Sequence, residues 1–148
     1  MNPFVASLKW ERKTAGFTYK EYDRTHEVTY GSGTTIRASS APDFLGKADL
    51  VNPEETLVGA ASSCHMLTFL AIAARKKLTL DKYVDAAHGV LEKGPTGKFW
   101  ISKITLKPEI TWALGVTVDV DTLKALHYEA HENCFIANSV KSEIVVEF

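Results

Sequence analysis

The sequence predicts an α+β fold in which mostly antiparallel sheets wrap a long central helix, and three observations carry that prediction. Strand-like and helix-like segments follow one another in the order strands, helix, strands, helix, strand. Residues 52–78, NPEETLVGAASSCHMLTFLAIAARKKL, read as a helix that is apolar or small on nearly every side, the pattern of a buried helix. Residues 102–112 alternate with period two, Ile104, Leu106, Pro108, Ile110 and Trp112 on one face and Lys103, Thr105, Lys107, Glu109 and Thr111 on the other. One small sheet covers one side of such a helix. A chain of 148 residues has little else to cover the rest, so an intertwined homodimer is the simplest arrangement.

The elements follow in order. Residues 4–38 read as β, in the segments FVASLKW, GFTYKEY, HEVTY and TTIRAS, with bends at Gly16, at Tyr22–Thr25 and at Gly31-Ser32-Gly33. Residues 39–51 read as a connecting loop. The central helix then has a strong start. Asn52 suits the cap, Pro53 the first helical position, and Glu55 completes a capping box three residues after Asn52. Arg75, Lys76 and Lys77 close it with cations at the negative end of the dipole. YVDAAHGVLE alternates weakly and GPTG is a turn. Pro108 removes a ladder donor, which places the strand of residues 102–112 at an edge or bulges it there. VDVDTLKALHYEAHENC predicts a second helix capped by Asp119 or Asp121, with Leu123, Leu126, His127, Ala130 and Cys134 at helical spacing. SEIVVEF closes the chain as a strand.

The composition bounds the function. The length fits one domain, residues 1–148, without repeats or a linker. Net charge is −1 with Lys and Arg scattered singly, which argues against nucleic acid as a partner. The apolar part of the central helix approaches membrane-spanning length, but Gly, Ala, Ser, Cys, His and Thr dilute it, and a core helix is the better reading. The amino terminus has too short an apolar segment for a secretory signal, and two cysteines make no disulfide-dense scaffold, so a cytoplasmic location is expected.

Cys64 lies midway along the central helix. As a residue it reads either as a small buried hydrophobe or as a reactive thiolate. The helix dipole fades within the first turn and cannot activate a thiol ten residues further on, and burial alone would make it inert. A reactive Cys64 therefore requires a cation from elsewhere: Arg24 at a strand bend first, Arg37 second, His65 third. If Cys134 meets Cys64, it can resolve a Cys64 sulfenic acid as a disulfide. A metal site from Cys64, His65, His131 and Cys134 is disfavoured, because adjacent residues of a helix point about 100° apart and no CxxC pair is present. His26, His88 and His127 read as ordinary strand or helix residues. No dinucleotide, P-loop, GxSxG or HExxH motif is present, and no cofactor is expected. Glu54, as a residue, is a helix-start charge worth roughly 0.3–1 kcal/mol.

NPEETLVGAASSC, the long apolar helix after it, and HENCFIANSVKSEIVVEF together resemble the OsmC/Ohr family, the osmotically inducible and organic hydroperoxide resistance proteins. The resemblance implies antiparallel sheets around long buried central helices in an intertwined homodimer, and thiol-based reduction of organic hydroperoxides. Carried over, Cys64 is the peroxidatic nucleophile, Cys134 resolves it as a Cys64–Cys134 disulfide, an Arg stabilises the thiolate and Glu54 holds that Arg. Counted back from Ser40-Ala41-Pro42, Arg24 takes the Arg position, with Arg37 in reserve. The loop of residues 43–51 offers Lys47 and no Arg. The disulfide requires an external dithiol as reductant. His65 after Cys64, and Phe135 after Cys134 where the family favours Pro, depart from the pattern. Glu54 and Cys64 lie roughly 15 Å apart along one helix, so a shared site needs a bridging Arg, a bent helix or a Glu54 from the partner subunit. Two other readings remain: a binding module for an apolar ligand with inert thiols, and a thiol enzyme of acyl transfer.

Overall fold

The amino-terminal part of the chain is built on a three-stranded antiparallel meander: β1 (Ala6–Lys9), β2 (His26–Tyr30) and β3 (Thr35–Ala38), in the order β1-β2-β3. In the computed structural model, which describes all of residues 1–148, this sheet belongs to the unit Met1–Thr56, and Leu57–Phe148 form a second unit. The β2–β3 hairpin turns through Gly31-Ser32-Gly33, where Gly33 takes φ of 86°, a conformation that glycine adopts without a Cβ clash. The segment GFTYKEY is not a strand. The Glu21 and Tyr22 amides both donate to Thr18 O, which coils the backbone. Phe17 and Tyr22 pack on the Trp10 ring and on each other instead of standing on a sheet. The connecting loop is tied back by a parallel bridge between Ala38 and Val51. Within it Gly46 is required, because a Cβ there would lie 1.5 Å from the Ser40 carbonyl oxygen.

The central helix, α1, spans Pro53–Arg75, and its start is the capping box read from the sequence. The Glu55 amide donates to Asn52 Oδ1 at 2.8 Å, and the Asn52 amide donates back to Glu55 Oε2 at 3.2 Å. Its burial differs from expectation. Within one chain only Ala61, His65, Phe69, Ile72 and Ala73 are buried, a single stripe at helical spacing, and Leu67 remains 59% exposed. At 23 residues α1 is also the one helix long and apolar enough to cross a membrane, but that stripe sits in the protein core.

The second unit surrounds the stripe with two sheets and a helix. β4 (Leu80–Asp85) pairs antiparallel with β7 (Pro108–Trp112). β6 (Phe99–Leu106) pairs antiparallel with β5 (His88–Lys93) and parallel with β8 (Glu143–Val146). The predicted strand of residues 102–112 is therefore two strands in two sheets. Pro108 opens β7, the strand position where a missing N–H is tolerated, and at the junction the Lys107 amide donates to Asp85 Oδ1. Ile104 and Leu106 pack with Ala61, while Ile110 and Trp112 pack on Phe69, Ile72 and Ala73. The second helix, α2 (Val120–Glu132), is capped by Asp119, whose side chain accepts from the Thr122 amide, and it buries Leu126, His127 and Ala130. Leu126 and Ala130 join Phe69, Ile72 and Ala73 in one core.

Candidate functional site

α1 and α2 bring the two cysteines of the second unit together. Both are free thiols, Cys64 half-buried and Cys134 fully buried. Cys134 lies just past the end of α2, where its amide donates to His131 O and its Sγ accepts from the Ala137 amide at 3.4 Å. The thiol proton of Cys134 is held against Cys64. Burial first, and that contact second, push the Cys134 thiol up to about 11. Cys134 thus holds its proton more firmly than an ordinary thiol, and Cys64 is the sulfur open to solvent.

The same helices bring together histidines that the sequence reading set apart. His65 Nε2 and His127 Nδ1 are 3.0 Å apart, and both rings are buried. Burial pushes each imidazole down to about 4; the neighbouring His131 lowers His65 further, against a smaller opposite effect of Asp85. His65 is therefore neutral near pH 7 and cannot be the cation that activates Cys64, which removes the third candidate. His127, read as ordinary, is its partner. The signal available in the sequence was an imidazole on the apolar face of a helix, among Leu123, Leu126 and Ala130.

Arg24 and Glu54 belong to the amino-terminal unit. The Arg24 guanidinium is buried, donates to Tyr22 O at 3.0 Å and Tyr19 O at 2.6 Å, and lies 4.0 Å from the centroid of the Tyr22 ring. It lines a cavity of about 450 Å³ whose other walls include Leu8, Trp10, Phe17, Tyr22 and Pro53, so one cation faces an almost wholly apolar space. A planar guanidinium has five N–H donors, and the two carbonyls leave some of them for a ligand. Glu54 Oε2 is buried without a hydrogen-bond partner. Arg37 is exposed on β3, opposite Glu27.

The chain is thus an α+β protein with one free cysteine on a long apolar helix and a second just past the end of a shorter one. Residues 46–148 match the family model described as OsmC-like protein, and the chain belongs to that family. It is similar to an OsmC-like protein of unknown function from Vibrio cholerae, with 39% identity, TM-score 0.94 and 99% of each chain covered. The organic hydroperoxide resistance protein OhrB of Bacillus subtilis shares the fold, with TM-score 0.69 at 17% identity over 99% of this chain and 96% of that one. The uncharacterized protein YmaD of Bacillus subtilis is 26% identical over 127 residues, 84% of each chain.

Proposed function

We propose that the protein is a thiol-dependent peroxidase that reduces organic hydroperoxides to alcohols. The observation that carries this reading is the Cys64–Cys134 contact, in which an accessible sulfur lies beside a buried one that retains its proton. The Cys64 thiolate attacks the distal peroxide oxygen. The O–O bond breaks, the alkoxide takes a proton and leaves as the alcohol, and Cys64 becomes a sulfenic acid. Cys134 then attacks that sulfur, the S–O bond breaks, water leaves, and a Cys64–Cys134 disulfide remains for an external dithiol to reduce. Arg24 is the cation for thiolate and peroxide in this reading; here it is held by Tyr19 O and Tyr22 O, and Glu54, whose buried Oε2 has no hydrogen-bond partner, is free to take hold of it only when Arg24 leaves those carbonyls. The apolar lining of the cavity beside Arg24 favours alkyl or aryl peroxides over hydrogen peroxide. A second copy of the chain covers the open face of α1, and the homodimer works in the cytoplasm.

Single turnover tests the reading. Prereduced protein is mixed with one equivalent of cumene hydroperoxide, and the thiols are read by mass spectrometry. Rapid loss of both with a Cys64–Cys134 linkage is expected. Thiols that survive, or oxidise only as fast as free cysteine, would replace it with the second reading, an apolar-ligand binding module, which the same cavity favours.

A further inference from the structure

The cavity of the amino-terminal unit holds one fixed charge, and that charge has no counter-ion. Arg24 is 8% exposed, and its guanidinium spends N–H donors on the Tyr22 and Tyr19 carbonyls while others stay free. The carboxylates next to it in sequence are committed elsewhere. Glu21 accepts from Thr18 Oγ1, and Asp23 holds the Thr25 amide and, at 3.1 Å, the Lys47 ammonium. A buried cation that faces apolar walls is unfavourable until something brings it the opposite charge.

A second donor lines the same cavity. Ser39 is completely buried, its Oγ accepts from the Lys47 amide at 3.2 Å, and its own hydrogen has no acceptor in the protein. Buried donors are nearly always paired, so an unspent hydroxyl beside a buried guanidinium calls for an acceptor from outside. The other polar groups of the lining are in use: Ser40 Oγ donates to Phe44 O, and His26 Nδ1 donates to Arg24 O.

The remaining walls are mainly rings. Phe17 packs on Trp10 and on Tyr22 at centroid distances of 5.7 and 5.5 Å, Trp10 meets Tyr22 edge-on, and Trp10 is fixed by its Nε1–H, which donates to Asp23 O at 2.7 Å. Tilted and edge-on rings present faces and edges that a further ring can join. The volume of about 450 Å³ is that of a small-molecule site. One guanidinium and one hydroxyl suit the two oxygens of one carboxylate, and a second negative charge would be stranded among the rings.

We propose that this cavity binds an aromatic monocarboxylate, its carboxylate on Arg24 and Ser39 and its ring against Trp10, Phe17 and Tyr22. The proposal goes beyond the peroxidase reading and does not rest on it, since every residue it uses lies within Met1–Thr56 and no sulfur takes part. No bond of the ligand changes; the site holds it.

Isothermal titration calorimetry of the whole chain with naphthoate, naphthamide and decanoate tests this. The amide keeps the rings and loses the charge, and decanoate keeps the charge and loses the rings. Naphthoate is expected to bind at least tenfold more tightly than either. Arg24→Met, of similar length and without charge, is expected to abolish the preference over the amide, and Ser39→Ala to weaken naphthoate at least threefold, with circular dichroism verifying that both are folded. Equal affinity of the wild-type protein for naphthoate and naphthamide overturns the carboxylate site without recourse to any variant. So does naphthoate that gives no heat in the millimolar range, or a folded Arg24→Met or Ser39→Ala that binds it as the wild type does. Decanoate bound as tightly as naphthoate overturns the aromatic class. A protein inert to cumene hydroperoxide that passes this titration would lose the peroxidase reading and keep the site, and one that turns over the peroxide but fails the titration would do the reverse.

Discussion

Cys134 holds its thiol proton against Cys64, and it does so from a buried position while Cys64 is half-open to solvent. In the proposed cycle that asymmetry sets the expected order of events. Cys64→Ser is expected to reduce peroxide consumption to the buffer rate. Cys134→Ser is expected to consume one equivalent and stop at the sulfenic acid, which dimedone trapping detects. Equal loss of the first oxidation in both variants would reverse or merge the assigned roles.

Arg24 is held by two backbone carbonyls and the Tyr22 ring, not by a carboxylate. Its charge is therefore uncompensated by any ion pair, as the role proposed for it requires. Arg24→Ala is expected to slow the first oxidation by about 10²-fold, the usual effect of removing a preorganised donor. Arg24→Lys is expected to restore only part, since an ammonium cannot reproduce the planar fork. Stopped-flow rates with cumene hydroperoxide decide it, and an unaltered rate in Arg24→Ala would pass the role to another cation, Arg37 being the next tested.

The Asn52–Glu55 capping box predicts a stability effect separable from chemistry. Asn52→Ala is expected to cost about 1 kcal/mol, a fall of roughly 2–4 °C in Tm for a chain of this size. Asn52→Asp retains a cap acceptor and is expected to recover most of it. A thermal melt in which Ala and Asp behave alike would show that the cap contributes little.

That box was legible in the sequence because it is local: four residues contain all its partners. So were α1, a cap for α2 at Asp119 or Asp121, of which the structure uses Asp119, and the two cysteine positions. The losses were tertiary. His65 and His127 are 62 residues apart, and nothing in either neighbourhood announces the other. GFTYKEY has strand-forming residues, but its aromatics find Trp10 and its backbone finds Thr18, so packing overrides propensity. Residues 102–112 keep a perfect alternation across Pro108, yet the halves on either side serve different cores.

The apolar run of α1 and its single buried stripe do not match within one chain. Leu67, 59% exposed in the middle of that helix, is the residue a second copy would cover. Sedimentation velocity is expected to show a dimer for the wild-type protein and a monomer for Leu67→Glu, since a charge in a desolvated interface is strongly unfavourable. A wild-type monomer, or a Leu67→Glu dimer of equal strength, would leave the face without that occupant.

Stability should depend on pH through His65 and His127. Both imidazoles have an ordinary value of 6.5 and are pushed down to about 4 by burial in the folded state. Between those values the unfolded chain binds more protons than the folded one, so acid favours unfolding. The stability conferred by keeping the rings neutral is complete above about pH 6.5, falls as pH drops through the window, and is fully lost below about 4. Urea denaturation at pH 7.0, 6.0 and 5.0 is expected to show a declining midpoint. His127→Asn, with one titrating ring removed, is expected to be less stable at pH 7 but to decline less steeply. If the variant and the wild-type protein lose stability in parallel across that window, His127 is not titrating there, and the acid sensitivity belongs to carboxylates instead.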